Sequence, residues 1–354
     1  MLSFVVGLAC APSPAPSAPS ASTGAAPTVS AAPAAPAAAP PAAATTAPAP
    51  IRLLVNYAAV GPSQSGLWAA YEGGYLREQG LDGELTNVPN TARAVQAMMQ
   101  GDVNVSMMEP ATAIQISLSG GDTVLLFGAI NRLLYSVMSQ PSLTDPQQMR
   151  GHVLGITRIG SATHSAARVA LQDWGLVADR DVALRQLGEN TAVYAALEAG
   201  QIDAGMMTSP YNIAARRAGY HELLDLSQQG PEYVSLAVGG LRGWVADNQE
   251  AMRRFARAYA QAIWRLKTDK PWALGVWRKY MQTDDAQLLD DSYEVYRDHF
   301  PSPPYVSEAG IARLLEDLVV EDPRLVGRAP TDWVDGSYVR ELETSGFMRQ
   351  LTGQ

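Results

Sequence analysis

The chain has one cysteine, Cys10, in 354 residues. An intramolecular disulfide is therefore excluded, and so is a zinc site built on several thiolates. Histidine is almost as scarce. His152, His164, His221 and His299 are scattered along the chain, with no H-E-x-x-H pair to seat a metal. Neither G-x-x-x-x-G-K-[ST] nor a G-x-G-x-x-G following a strand occurs, so a nucleotide lacks its usual backbone cradle. "GPSQSG" (61–66) puts Ser65 where the second glycine of a nucleophile elbow belongs, so that motif fails as well. These absences leave no nucleophile with its base, no cofactor and no metal, and a non-enzymatic protein is expected.

Charge is absent too, but only from one region. The first fifty residues contain no Asp, Glu, Lys or Arg. The rest carries 26 basic and 35 acidic residues, a net charge of −9. Without a basic surplus to neutralise phosphates, nucleic acid is not expected as a partner. No stretch approaches the roughly 18 continuous apolar residues of a spanning helix.

The uncharged N-terminus divides in two. Residues 1–10, "MLSFVVGLAC", are a short apolar run ending in Leu8-Ala9-Cys10. They resemble the lipobox of a bacterial lipoprotein, which implies a cleaved signal, acylation of Cys10 and a membrane anchor on the outer side of the cell membrane. Residues 11–50 are almost wholly Ala, Pro, Ser and Thr. That composition buries too little apolar surface to offset the entropy of ordering, so a disordered tether is expected. In polyproline form, at about 3.1 Å per residue, it would reach roughly 120 Å.

From Ile51 the texture changes. "IRLLVNY" reads as a strand, "LWAAYEGGYLREQG" as a helix stopped by Gly80, "GELTNVP" as a strand, and "NTARAVQAMMQG" as a helix capped by Asn90 or Thr91. "VNVSMM", a helix and "TVLLFGAI" follow. Strands alternating with helices of about ten residues give a doubly wound α/β sheet. The pattern then restarts at "SLTDPQQMRGHVLGIT". A short phrase is written twice: "GDVNVSMMEP" from Gly101 and "GQIDAGMMTSP" from Gly200. Each reads as a helix stop, a buried strand and a loop at the strand's carboxyl end, the edge where open α/β sheets bind ligands. The Met-Met pairs are expected to fill core. From Tyr233, "YVSLAVGG" reads as another strand; after it the chain reads helical, and Met252, Phe255, Tyr259, Ile263 and Leu266 form one apolar stripe.

Four stretches carry a family resemblance: "AAYEGGYLREQGLDGEL", "AVQAMMQGDVNVSMMEP", "SLTDPQQMRGHVLGITRIGSATHSAARVALQDWGL" and "AALEAGQIDAGMMTSPYNIAARRAGY". In order and spacing, residues 51 to about 325 resemble the solute-binding proteins of ABC importers for nitrate, sulfonates and taurine. The resemblance implies a two-lobed α/β fold of the periplasmic-binding-protein type, a Venus flytrap whose chain crosses twice between lobes. Lobe 1 is expected over 51–137 and 238–354, and lobe 2 over 138–237. It implies a monomer that captures a small solute in the cleft and passes it to an ABC permease and ATPase. A ligand-sensing module shares this fold, and so do thiamine-pyrimidine synthase enzymes. The latter carry a cysteine-rich motif that this chain lacks.

Carried over residue by residue, the resemblance turns four loops to the cleft. They offer Ser63, Gln64, Ser65 and Trp68 after the first strand, and Glu109 after the third. Ser161, Thr163 and His164 stand at a helix N-terminus whose free N–H groups favour an anion. Ser209 and Tyr211 are the matching loop of the second lobe. The alternative for the serines is that they satisfy their own helices. Arg132, Arg158 and Arg242 are expected in solvent. An anion site at the helix end would suit a sulfonate or a carboxylate. Stacking on Tyr57, Trp68, Tyr211 or Trp244 would suit a pyrimidine or flavin precursor, and Glu109 favours a zwitterion or a ring N–H over a small anion.

Overall fold

The computed structural model of the protein describes residues 49–320 and 322–353. Cys10 and nearly all of the 11–50 tether lie outside the described residues.

Two five-stranded sheets organise the described residues. The first takes β1 (Ile51–Tyr57), β2 (Leu81–Asn87), β3 (Val105–Met108), β4 (Thr123–Arg132) and β10 (Glu232–Leu241), in the order β2-β1-β3-β10-β4. The second takes β5 (Ser136–Ser139), β6 (Val153–Ile156), β7 (Ala183–Gln186), β8 (Ala204–Met207) and β9 (His221–Asp225), in the order β7-β6-β8-β5-β9. Around the first are α1 (Ser65–Glu72), α2 (Tyr75–Glu78), α3 (Thr91–Gln100) and α4 (Pro110–Ile116). Around the second are α5 (Ala162–Asp173), α6 (Asn190–Glu198) and α7 (Tyr211–Arg217), with α8 (Leu226–Gln229) on the way back. Among the described residues, seven α-helices follow β10: α9 (Arg242–Asp247), α10 (Gln249–Thr268), α11 (Lys270–Met281), α12 (Ala286–Tyr296), α13 (Glu308–Val319), α14 (Ser337–Thr344) and α15 (Phe347–Thr352).

Each sheet has one strand running against the rest. In the first it is β10, antiparallel to both β3 and β4. In the second it is β5, antiparallel to both β8 and β9. Both are the first strand laid down after a crossing, and the geometry requires their direction. A strand that ends at the cleft and crosses it by a short link enters the other sheet at its cleft edge, so it runs away from the cleft. The sheets are therefore mixed, where alternation alone reads as parallel. The topology also corrects the expected boundaries. β5 belongs wholly to the second sheet and β10 wholly to the first, so the crossings are the links at 133–135 and 226–231. They do not fall inside those strands, at 137/138 and 237/238.

The twice-written phrase does the same job in both sheets. Gly101 and Gly200 take the left-handed conformation that ends α3 and α6, with φ of 84° and 64°. The strands that follow, β3 and β8, bury Met107, Met108, Met206 and Met207 completely. As expected, the methionines are core.

The first lobe's core lies between its sheet and α10, whose stripe of Met252, Phe255, Tyr259, Ile263 and Leu266 is buried throughout. Phe127 of β4 meets Phe255 and Tyr259 at ring-centroid distances of 5.5 and 5.8 Å. A second apolar cluster runs through the hinge, joining Met108, Ile114 and Tyr233 of the first lobe to Leu154, Ile156 and Ala166 of the second. The crossings are thus packed, and their side chains link the two cores.

Candidate functional site

Strands β1, β3, β6 and β8 direct their carboxyl ends into the space between the lobes, and the loops after them carry the sequence-derived candidates. After β1, Pro62–Gln64 forms one turn of 3-10 helix leading into α1. Gln64 is buried and its Oε1 accepts from the Ala58 amide at 3.1 Å, so it braces the loop. Ser65 is also buried, and its hydroxyl donates to the Pro62 carbonyl. Of this group Ser63 alone keeps partial exposure. Trp68 departs further from expectation. It is 0% exposed, stacked face to face on Tyr280 at 4.7 Å and met edge-on by Tyr57 at 5.6 Å. Its stacking face is taken by a helix 212 positions on, which no local pattern announces. Trp244 is in α9, past the end of β10 that points away from the cleft, and packs against the first core.

The loop before α5 is a hydroxyl cluster. Thr157 Oγ1, Ser161 Oγ and Thr163 Oγ1 lie 2.7 to 3.0 Å from one another, and Ser161 also donates to the Arg158 carbonyl at 2.7 Å. Thr163 Oγ1 accepts from the Thr157 amide at 2.9 Å. These side chains are committed to the loop, and Ser161, although at the N-cap position, gives α5 no side-chain cap. His164 Nδ1 accepts from the Gly160 amide at 3.2 Å. It lines a groove of about 730 Å³ between α5 and α13, outside the loop cluster.

Glu109 sits at the N-cap position of α4, yet its side chain caps nothing in its own helix. Its N–H donates to Thr91 Oγ1 at 2.9 Å. The half-buried carboxylate lies within electrostatic reach of the Ala162 amide of the opposite lobe and of the Thr112 hydroxyl. Burial pushes its pKa up, while Arg158 and those hydrogen-bonding groups pull the other way and Glu189 adds to the rise. Next to it, Thr112 Oγ1 donates to the Gly160 carbonyl at 3.2 Å, again across the lobes. Arg158 pairs with Glu189 at 3.3 Å and donates to the Gly188 carbonyl. Solvent alone does not describe it, whereas Arg132 and Arg242 do lie at exposed positions.

The loop after β8 engages a different partner. Thr208 Oγ1 is 2.8 Å from the Tyr296 hydroxyl and Ser209 Oγ is 2.6 Å from Ser292 Oγ, both on α12 of the first lobe. Tyr211 is half-buried against Tyr194, centroids 6.2 Å apart. Glu109 and Tyr211 therefore do not meet directly; Glu189 stands within electrostatic reach of both. Tyr135, at the first crossing, feels Glu109, Tyr296 and Tyr233, and its phenol is held strongly protonated by burial. Sequence reasoning missed Tyr135, Glu189, Tyr296 and Ser292. The first is in a crossing link, and the last two belong to a helix whose pattern reads as ordinary packing.

Residues 62–270, more than half of the chain, match the model of the family described as NMT1/THI5 like. Among solved structures, the periplasmic aliphatic sulphonate-binding protein SsuA of Escherichia coli aligns with TM-score 0.67 at 18% identity, over 81% of this chain and 92% of that one. The alkanesulfonate-binding protein SsuA of Xanthomonas axonopodis pv. citri, bound to MOPS, aligns with TM-score 0.66 at 17% identity, over 82% and 100%. The periplasmic nitrate-binding protein NrtA of Synechocystis PCC 6803 gives 0.60 at 13%, over 70% and 71%. At such identities these likenesses establish the fold. No curated protein matches the chain. The chain belongs to the NMT1/THI5-like family and has the two-lobed fold of the periplasmic binding proteins.

Proposed function

We propose that the protein is an extracytoplasmic solute-binding protein that captures a small organic solute between its lobes. It would deliver that solute to the permease and ATPase of an ABC importer of the nitrate, sulfonate and taurine type, acting as a monomer and without catalysis. The observation that carries this reading is the pairing of polar loops from both lobes across one space, Thr112 with Gly160 on one side and Thr208 and Ser209 with α12 on the other. Groups from both lobes that contact one solute favour the closed arrangement, which is how such a fold signals occupancy to a partner. The family and the fold support the same reading.

The test is closure. Solutes from a panel of sulfonates, nitrate, amino-sulfonates, pyrimidines and flavins that raise the melting temperature should also lower the radius of gyration in small-angle scattering. At 100 times its Kd a single-site ligand adds about 2.7 kcal/mol of stability. Tight binding without compaction would place the pocket within one lobe and sink the reading.

Attachment to the membrane through acylated Cys10 belongs to the same proposal. Cys10→Ser should move the protein from the detergent phase to the aqueous phase. A wild-type protein already in the aqueous phase would overturn the anchor.

A further inference from the structure

Helix α12 belongs to the first lobe and is fixed there by one face. Leu289, Tyr293 and Tyr296 are buried in the first core, and the two tyrosine rings meet Trp277 at 6.0 and 6.2 Å. The Tyr293 hydroxyl donates to the Leu266 carbonyl of α10 at 2.9 Å. Another face is turned to the second lobe. Ser292 and Tyr296, one helical turn apart, bring their hydroxyls to Ser209 and Thr208 at 2.6 and 2.8 Å, and Asp291 takes Arg217 of α7. The same helix packs against the Pro62–Gln64 turn that follows β1. One anchored helix therefore touches a cleft loop of each lobe.

We propose that α12 is a built-in clasp, which closes the lobes for part of the time before any solute binds. All of its contacts are between groups of the protein, so none needs a solute to form. Ser209 and Ser292 are buried, and their bond is shielded from water while the lobes are together. On opening, each hydroxyl regains water, so two such pairs hold the lobes only weakly and leave the open form populated. The solute then shifts a population that already exists rather than assembling the closed form from nothing. Thr208 and Ser209 serve closure, and contact with the solute is left to the other groups of the cleft. Arg217, exposed between Asp285 and Asp291, adds little strength, but it matches the same register of α7 on α12. The clasp rests on the solute-binding reading above, which gives closure its purpose.

The experiment measures distances between two spin labels in the full chain without solute. The labels are placed by Val60→Cys and Ile159→Cys, exposed positions on cleft loops of the first and second lobes, with Cys10→Ser so that no other thiol is present. This labelled parent is expected to show two distances, a short one for the clasped form and a long one for the open form. Ser292→Ala and Tyr296→Phe should each lower the short-to-long ratio, and together they should lower it at least about tenfold. Tyr293→Phe is the control, because its hydroxyl faces its own lobe, and the ratio should stay as in the parent. Circular dichroism confirms that each variant is folded, and the single variants serve if the pair does not fold. A parent with the long distance alone, an unchanged ratio in folded Ser292→Ala and Tyr296→Phe, or an equal fall in Tyr293→Phe overturns the proposal. Those results leave the solute-binding reading standing if a solute of the panel brings the labels together. If no solute shifts the ratio, that reading fails instead.

Discussion

The hydroxyl oxygens of Ser209 and Ser292 lie 2.6 Å apart although they belong to different lobes. Both residues are buried, and the Thr208–Tyr296 pair at 2.8 Å runs beside them. At the far end of α7, Arg217 is ion-paired to Asp291. Helices α7 and α12 thus form one edge of the lobe contact. Arg217 is exposed, and such pairs contribute little; the two hydroxyl pairs are the ones shielded from water.

Removing one hydroxyl of the Ser209–Ser292 pair leaves its partner buried and unsatisfied, which costs roughly 1–3 kcal/mol. Ser209→Ala and Ser292→Ala should each loosen the closed arrangement by that amount, read as faster amide exchange in α7 and α12. The double variant should cost less than the two singles together, because no orphaned hydroxyl remains. Additive losses would show that the two oxygens do not bond in solution.

Glu109 makes a pH-dependent contribution with a definite sign. Burial raises its folded-state pKa above the ordinary value of 4.5. The folded protein therefore holds this proton more tightly than the unfolded chain does. The associated stability is fully present below the unfolded pKa and is lost as pH rises through the folded one. At pH 7 to 8 the ionised carboxylate is a net cost, and Glu109→Gln, which keeps the size of the side chain and removes its charge, should raise the melting temperature. The gain should vanish near pH 4. Equal melting temperatures for both proteins at pH 8 would show that Arg158 and the amide fully compensate the buried charge.

Much of the architecture was legible because it is written locally. The stripe of α10, the glycines ending α3 and α6, and the buried methionines of β3 and β8 each follow from a period or a backbone rule within one short stretch of chain. The loops at the strand ends could be located in the same way. What those loops touch could not. Trp68 reads as a cleft aromatic until Tyr280, on a helix far along the chain, covers its face. Ser209 is matched by a serine 83 positions later, inside an amphipathic helix whose pattern gives no sign of a contact. Glu109 was legible as a cleft carboxylate, but one group that acts on it, the Ala162 amide, is backbone and leaves no trace in the residue letters. The direction of β5 and β10 likewise follows from the crossings and from nothing in their own residues.

The core of the first lobe offers a check of the packing. Phe127 on β4 is completely buried, with Phe255, Tyr259 and Tyr338 around it at 5.5, 5.8 and 6.4 Å. Phe127→Ala removes a full ring from a site bounded by rigid aromatics, so little collapse can fill the cavity. A loss of about 3–5 kcal/mol is expected in denaturant unfolding. A loss under about 1 kcal/mol would mean that α10 and α14 do not close over β4 as described.

Tyr211 separates a stacking site from a packing contact. Its ring is half-buried, tilted 36° to Tyr194 at 6.2 Å, and it opens α7 directly after the loop that carries Ser209. Glu189 lies within electrostatic reach, so the ring and the acid would be presented to the same solute. If the solute is aromatic and stacks there, Tyr211→Ala should weaken binding by roughly 1–3 kcal/mol, as for bases stacked on aromatic side chains. Tyr211→Phe keeps the ring face and should lose little of that. Tyr194→Ala serves as the control, because it removes the neighbour and leaves Tyr211 in place. If all three variants fold and bind an aromatic solute as wild type does, the ring belongs to α6–α7 packing. The solute must then lie nearer the α5 head and Glu109.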